Sequence, residues 1–233
     1  MDRLHRIRLL VGDAGVTRLQ QATVMVVGCG AVGSFAIEAL ARSGIGRIIL
    51  IDFDKVEESN INRQLFATQR TIGMPKVDAA RDRIADICPD IAVDTYPIFF
   101  DADTALDIQP DFVIDAIDTV ESKIALYKWC AARNISFIAS MGAARKRDIS
   151  QIKLSSLRKT SVCPLAAKIR KMARADGLPD FPVVFSTEPA APQKQGGKNL
   201  GSIITVTGAF GLTLAGAVID HIIAGAAPDG GHI

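Results

Sequence analysis

Gly28, Gly30 and Gly33 fall in the run Gly28-Cys29-Gly30-Ala31-Val32-Gly33, and Asp52 follows nineteen residues after Gly33. A glycine-rich turn lets backbone amides approach phosphates at a helix N-terminus, and a carboxylate about 20 residues further on can hold a ribose hydroxyl. Alone, these residues indicate only a nucleotide. Eight to twelve residues after Asp52 stand Asn60, Asn62, Arg63 and Gln64, and Lys76 and Asp118 come later. Hydride transfer has no use for a guanidinium and amides gathered beside phosphates, whereas cleavage of a triphosphate does. Two cations, an amide pair and a strand-end carboxylate supply charge neutralisation and a ligand for Mg2+, which phosphoryl or adenylyl transfer requires. Each charge-assisted hydrogen bond contributes roughly 1.5 to 3 kcal/mol, and about 1.4 kcal/mol is tenfold in rate. Two or three such bonds aimed at a transition state therefore account for a large acceleration.

The elements that must carry these groups follow from periodicity. Thr23 to Val27 is a continuous apolar run suited to a strand covered on both faces. Val32, Phe35, Ala36, Ala39 and Leu40 then recur at helical spacing up to Gly44, and Arg47 to Ile51 is the next strand. Pro75 is expected in the first turn of a helix bearing Val77, Ala80, Ile84 and Ile87 on one face. Ala92 to Tyr96, Phe112 to Ala116 and Ser136 to Ser140 read as strands, with a helix from Val120 to Arg133. The alternation predicts an α/β fold with a doubly wound, mostly parallel, Rossmann-like sheet, whose ligands lie beyond the C-terminal ends of the strands. Gly28, Asp52 and Asp118 all fall at such ends. Beyond residue 145 the rhythm changes: strands are expected at Ile149 to Leu154 and Pro182 to Ser186, a basic helix from Pro164 to Ala175, and a mobile loop from Glu188 to Gly201. With no repeat and no linker, residues 1–233 read as one domain, with a nucleotide-binding core at 1–145 and a C-terminal extension at 146–233 for substrate and dimer contacts.

Charge distribution bears on partners. The net charge of +2 hides a segment, Arg145 to Arg174, with ten Lys/Arg and one acid, Asp148, which leaves −7 for the rest. Such a stretch suits a polyanion or a solvated helix face. Cys29, Cys88, Cys130 and Cys163 form no C-x-x-C pair for zinc or a redox disulfide. The N-terminal residues lack the apolar run of a signal peptide, which points to a cytoplasmic enzyme. The uncharged run Leu200 to Ile219 is long enough for a bilayer, but its threonines and glycines favour a buried or dimer-facing helix over membrane association.

Taken together, the glycine turn, Asp52-Phe53-Asp54-Lys55-Val56, Asn60-Ile61-Asn62-Arg63-Gln64, Gly73-Met74-Pro75-Lys76 and Asp115-Ala116-Ile117-Asp118 resemble the adenylating core of the ubiquitin-activating-enzyme-like (sulfur-carrier adenylyltransferase) superfamily. Within it, Lys159-Thr160-Ser161-Val162-Cys163-Pro164-Leu165-Ala166, Val184-Phe185-Ser186-Thr187-Glu188 and the apolar C-terminal stretch are similar to the members that dehydrate threonylcarbamoyladenosine in tRNA. The resemblance implies ATP and Mg2+ as cofactors, with Gly28, Gly30, Ala31 and Gly33 cradling the nucleotide and Asp52 holding the ribose. It assigns Asn60, Asn62, Arg63 and Lys76 to the phosphates and Asp118 to the metal. Arg3-Leu4-His5-Arg6 fits the family's N-terminal arginine motif, which makes Arg6 a catalytic group acting on the partner's site in a homodimer. The implied partners are tRNA and, for some members, a sulfur-relay protein.

In that chemistry a carboxylate is adenylated and then attacked by a nucleophile of the same side chain, so proximity replaces the thiol carrier of the relatives that activate ubiquitin-like proteins. Cys163, before Pro164 at a helix N-terminus that would stabilise a thiolate, reads either as a catalytic thiol or, since cyclisation needs no acyl carrier, as a capping and packing residue, the latter favoured; Cys29, Cys88 and Cys130 are expected to pack. The alternatives are an adenylyltransferase for a small sulfur-carrier protein, a non-catalytic nucleotide-binding scaffold and an NAD oxidoreductase. The last lacks an accompanying His/Tyr/Lys arrangement.

Overall fold

Val24, Met25, Val26 and Val27 are all buried because β1 (Thr23–Val27) is covered on both faces. The computed structural model describes residues 2–193 and 200–225. Helix α1 (His5–Gln21), broken at Gly12, leads into β1; α2 (Gly33–Ser43) stops at Gly44 in the left-handed region and is followed by β2 (Arg47–Ile51). Then come α3 (Lys76–Ile87), β3 (Ala92–Tyr96), β4 (Phe112–Asp115), α4 (Val120–Ala132) and β5 (Ser136–Ser140). The remainder supplies β6 (Ile152–Ser156), α5 (Pro164–Ala175), β7 (Pro182–Ser186) and α6 (Ile204–Ala224).

The seven strands form one sheet in the order β3-β2-β1-β4-β5-β7-β6, parallel except for β6 against β7. The expected doubly wound sheet is thus present, and β7 beside β5 adds the C-terminal part of the chain to the same sheet. Successive side chains of a strand point to opposite faces. Val24, Val26, Ile48, Leu50 and Ile114 accordingly pack with α2, α3 and α6, and Met25, Val27, Ile49, Ile51 and Val113 with α4 and α5. Because β1 pairs with β2 on one side and β4 on the other, the chain reverses its winding there. The crevice beyond Val27, Ile51 and Asp115 is the place where such a sheet binds ligands.

Several expectations need correction. Ile149–Gln151 is a 3-10 turn, not strand, because Asp148 Oδ1 accepts the Ser150 N–H at 2.9 Å; the strand starts at Ile152. Pro75 precedes α3 at its N-cap instead of lying in its first turn. Strand β4 stops at Asp115, one residue early, and α4 at Ala132. The apolar helix begins at Ile204 and runs past Asp220 and His221; it is long and apolar enough to cross a membrane, yet half of its apolar window is buried against the fold. The centre of the Glu188–Gly201 loop, with Lys194 and Lys198, lies outside the described residues. Its flanks are tied down, since Arg145 bonds both Ala191 and Gly201 through the backbone.

Candidate active site

The glycine turn is shaped by contacts no larger residue allows. Gly28 has φ 96°, and a Cβ there would lie 2.6 Å from the Ala116 carbonyl oxygen; at Gly33 it would lie 1.7 Å from that of Gly28. The turn therefore wedges between β1 and the residues after β4 and opens α2, placing amides at a helix N-terminus. Asp52, just past β2, accepts the Cys29 N–H at 2.7 Å and the Asp54 N–H at 2.8 Å. Burial raises its carboxyl above the usual range, against the opposing pull of Lys76 and of those two N–H groups. The pKa of the Cys29 thiol, buried and close to Asp52, is raised well above its ordinary value, which disfavours the thiolate and suits a packing role.

Lys76, at the start of α3, is 8% exposed and places its ammonium 2.6 Å from Asp54 Oδ2. Asp54 thus anchors the Lys76 side chain. The segment carrying the Asn/Arg cluster packs Ile61, Leu65, Phe66 and Ala67 against the core and is fastened to the start of α2 where the Ser34 hydroxyl accepts the Leu65 N–H at 3.1 Å. Asn60 is buried and its amide oxygen accepts the Glu57 N–H at 3.2 Å, closing a capping box that shapes this segment. Arg63 donates to Ser59 O at 2.7 Å and Asn62 Oδ1 at 2.8 Å, and Asn62 reaches Ser202 O at 3.5 Å. Gln64, which the sequence did not single out for a role, is buried with its amide nitrogen facing Gly30.

Asp118 lies three residues beyond β4, exposed, with no hydrogen bond or ion pair among the described residues. No cluster of three or more His, Cys, Asp or Glu side chains among the described residues forms a metal cage. Mg2+ is commonly held by one or two carboxylates completed by substrate phosphates and water. A single unpaired carboxylate at the mouth of this crevice fits that mode of binding. Arg6 is exposed and likewise makes no bond within the described chain, unlike Arg8, which pairs with Asp2 and Asp13. Leu4, two residues before it, packs on Gly44, at the end of α2 remote from the glycine turn. The structure thus gathers Gly28 to Gly33, Asp52, Lys76 and Asp118 around one crevice and leaves Arg6 apart from it.

A sequence profile of the ThiF family matches residues 2–229. A tRNA threonylcarbamoyladenosine dehydratase of Bacillus subtilis is 44% identical over 81% of this chain and 76% of its own length, and one of Haemophilus influenzae is 37% identical over 93% and 91%. The chain belongs to the ThiF family and, within it, to the tRNA threonylcarbamoyladenosine dehydratases. The solved structure of the E. coli tRNA N6-threonylcarbamoyladenosine dehydratase in complex with ATP superimposes with a TM-score of 0.90 at 34% identity, covering 97% of this chain and 96% of that one.

In this dehydratase-family chain the basic stretch is not one uniform face. Lys146 is buried and donates to the carbonyls of Ser186 and Glu188, Arg145 donates to Ala191 O, and Arg170 is bonded to Thr160. Those three hold the fold together; Arg147, Lys153, Arg158, Lys159, Lys168, Lys171 and Arg174 remain exposed. Cys163 caps α5, its buried Sγ accepting the Ala166 N–H at 3.5 Å, as expected of a cap.

Proposed function

We propose that this chain uses ATP to adenylate the threonine carboxylate of threonylcarbamoyladenosine in tRNA, and that the nucleophile on the same side chain then closes the ring. In the first step carboxylate oxygen attacks the α-phosphorus and pyrophosphate leaves; in the second the acyl carbon is attacked and AMP leaves. The observation that carries the reading is the convergence of the glycine turn, Asp52, Lys76 and Asp118 at the switch point of the sheet, in a chain similar to a dehydratase over 93% of its length. Gly28, Gly30, Ala31 and Gly33 present the turn to the phosphates, Asp52 holds the ribose, and Asn60, Asn62, Arg63 and Lys76 neutralise the triphosphate. Asp54 holds the Lys76 ammonium in place until phosphate arrives. Asp118 would hold Mg2+, which when bound neutralises charge on the phosphates. The whole chain acts as one cytoplasmic adenylating domain, paired as a homodimer so that Arg6 serves the other copy.

The test is mass spectrometry of nucleosides from tRNA carrying threonylcarbamoyladenosine, after incubation with the protein, ATP and Mg2+. The nucleoside should lose one water with matching AMP formation. Unchanged nucleoside, together with pyrophosphate exchange that requires a protein ending in Gly-Gly, would replace this reading by that of a sulfur-carrier adenylyltransferase.

The exposed cations of α5 and β6 are the surface we assign to the tRNA backbone. Replacing Lys168, Lys171 and Arg174 by Ala should weaken tRNA binding and lower the slope of log affinity against log salt by roughly two, since each phosphate contact releases about 0.7 to 0.9 counterion. ATP affinity should not change, because the nucleotide groups all precede residue 119. An unaltered salt slope would mean that this face is only solvated.

A further inference from the structure

Beneath the turn that carries Asp118 lies an ion pair withdrawn from solvent. Lys123 on α4 and Asp115 at the end of β4 both have side chains 0% exposed and meet at 2.7 Å. The Lys123 ammonium also donates to Ser140 O, at the end of β5, at 2.7 Å. One turn further along α4 the Tyr127 hydroxyl donates to the same Asp115 Oδ2 at 2.5 Å, while Oδ1 accepts the Ile117 N–H at 2.9 Å. Burial, reinforced by the Asp115 charge, keeps the Tyr127 phenol well above its ordinary pKa, so it stays a donor.

Stability alone is a poor reason for such a cluster. Removing two ions from water costs several kcal/mol each, and well-packed apolar residues in place of a buried pair are often as stable or more so. What the cluster does is mechanical. It ties the ends of β4 and β5 and the first two turns of α4 to the Ile117 amide. From the other side the Ala116 N–H bonds Val27 O at 2.8 Å, and the Ala116 carbonyl lies against Gly28. Residues 116 and 117 are therefore clamped from both sides, and Asp118, whose carboxylate has no partner of its own among the described residues, is the next residue out. Its place is set by backbone, and the backbone by Asp115.

We propose that Lys123 and Tyr127 are positioning residues for adenylation: through Asp115 they hold the 116–118 turn so that the Asp118 carboxylate faces the triphosphate. The inference rests on the role given to Asp118 above.

Tyr127→Phe removes one hydroxyl while keeping the ring that packs on Phe137 and Phe181. The expected result is a kcat for AMP formation lower by about tenfold, the scale of a small misplacement of a reacting group. The Kd for ATP measured without Mg2+ or turnover should be unchanged, the Mg2+ concentration for half-maximal rate should rise, and amide exchange at Ile117 should quicken. In an Asp118→Ala background Tyr127→Phe should have no further effect, because it acts through that carboxylate. The paired change Asp115→Asn with Lys123→Met, which removes both charges together, repeats the test by the same criteria. A wild-type kcat in Tyr127→Phe beside a lowered Tm would overturn the inference and leave the adenylation reading standing. Wild-type turnover in Asp118→Ala would overturn that reading, and this inference with it.

Discussion

Asp118→Ala is expected to slow AMP release from ATP and the dehydration of the tRNA nucleoside by at least about a hundredfold, while the variant keeps its circular dichroism and its Tm. The carboxylate is exposed and makes no bond among the described residues, so its removal leaves no cavity and no orphaned partner; substitutions of that kind usually change stability by less than about 0.5 kcal/mol. Loss of one group aimed at developing charge costs about a hundredfold to a thousandfold in rate. Asp115, three residues earlier in the same Asp115-Ala116-Ile117-Asp118 motif, should differ in that its loss also lowers stability. Asp115→Ala strands the Lys123 ammonium where no water reaches it, a loss of about 3 to 5 kcal/mol. The two variants, compared by thermal melts and by AMP formation per folded molecule, separate the chemistry of the motif from its scaffolding. An Asp118→Ala protein that is inactive only because it is unfolded would defeat the assignment as surely as one that is fully active.

That contrast also shows how far the sequence could be read. The strands of the sheet were legible because Thr23–Val27, Arg47–Ile51 and Ser136–Ser140 are short apolar runs between turn residues, and burial on both faces demands that pattern. The crevice was legible because glycines at 28 and 33 answer steric needs that operate over a few residues. Lys123 and Tyr127 gave no signal. Their partner Asp115 is on a different element, and a lysine in a helix reads as a solvated side chain until the fold encloses it. Helix α1 escaped for a related reason: the break at Gly12 interrupts its period, and Leu9 and Leu10 are exposed, so no single apolar stripe runs along it. In the basic stretch, composition alone could not separate Lys146, spent on the Ser186 and Glu188 carbonyls, from Lys168, which is free to meet a phosphate.

The position of Arg6 leads to the other large effect. Leu4 is seated at Gly44, and α2, eleven residues from Gly33 to Ser43, is about 16 Å long, so the N-terminal arginines start a helix length away from their own glycine turn. An arginine so placed serves a phosphate site more readily on a second copy. Arg6→Ala and Lys76→Met, the latter keeping the buried stem, should each be nearly inactive in AMP formation, because each removes a cation from the phosphates. Mixed in equal amounts and allowed to exchange subunits, they should regain activity. In a hybrid dimer, the site of the Arg6→Ala copy has its own Lys76 and receives an intact Arg6 from the other copy, while the second site lacks both. Random exchange makes half the dimers hybrid, and each hybrid has one complete site of two. The recovered activity should therefore approach about one quarter of wild type, as two-fold symmetry dictates. Subunit exchange is checked independently by native mass spectrometry of differently tagged chains. Demonstrated exchange without recovery would place Arg6 in its own copy's site or outside the chemistry, and would remove the main physical reason to expect a functional dimer.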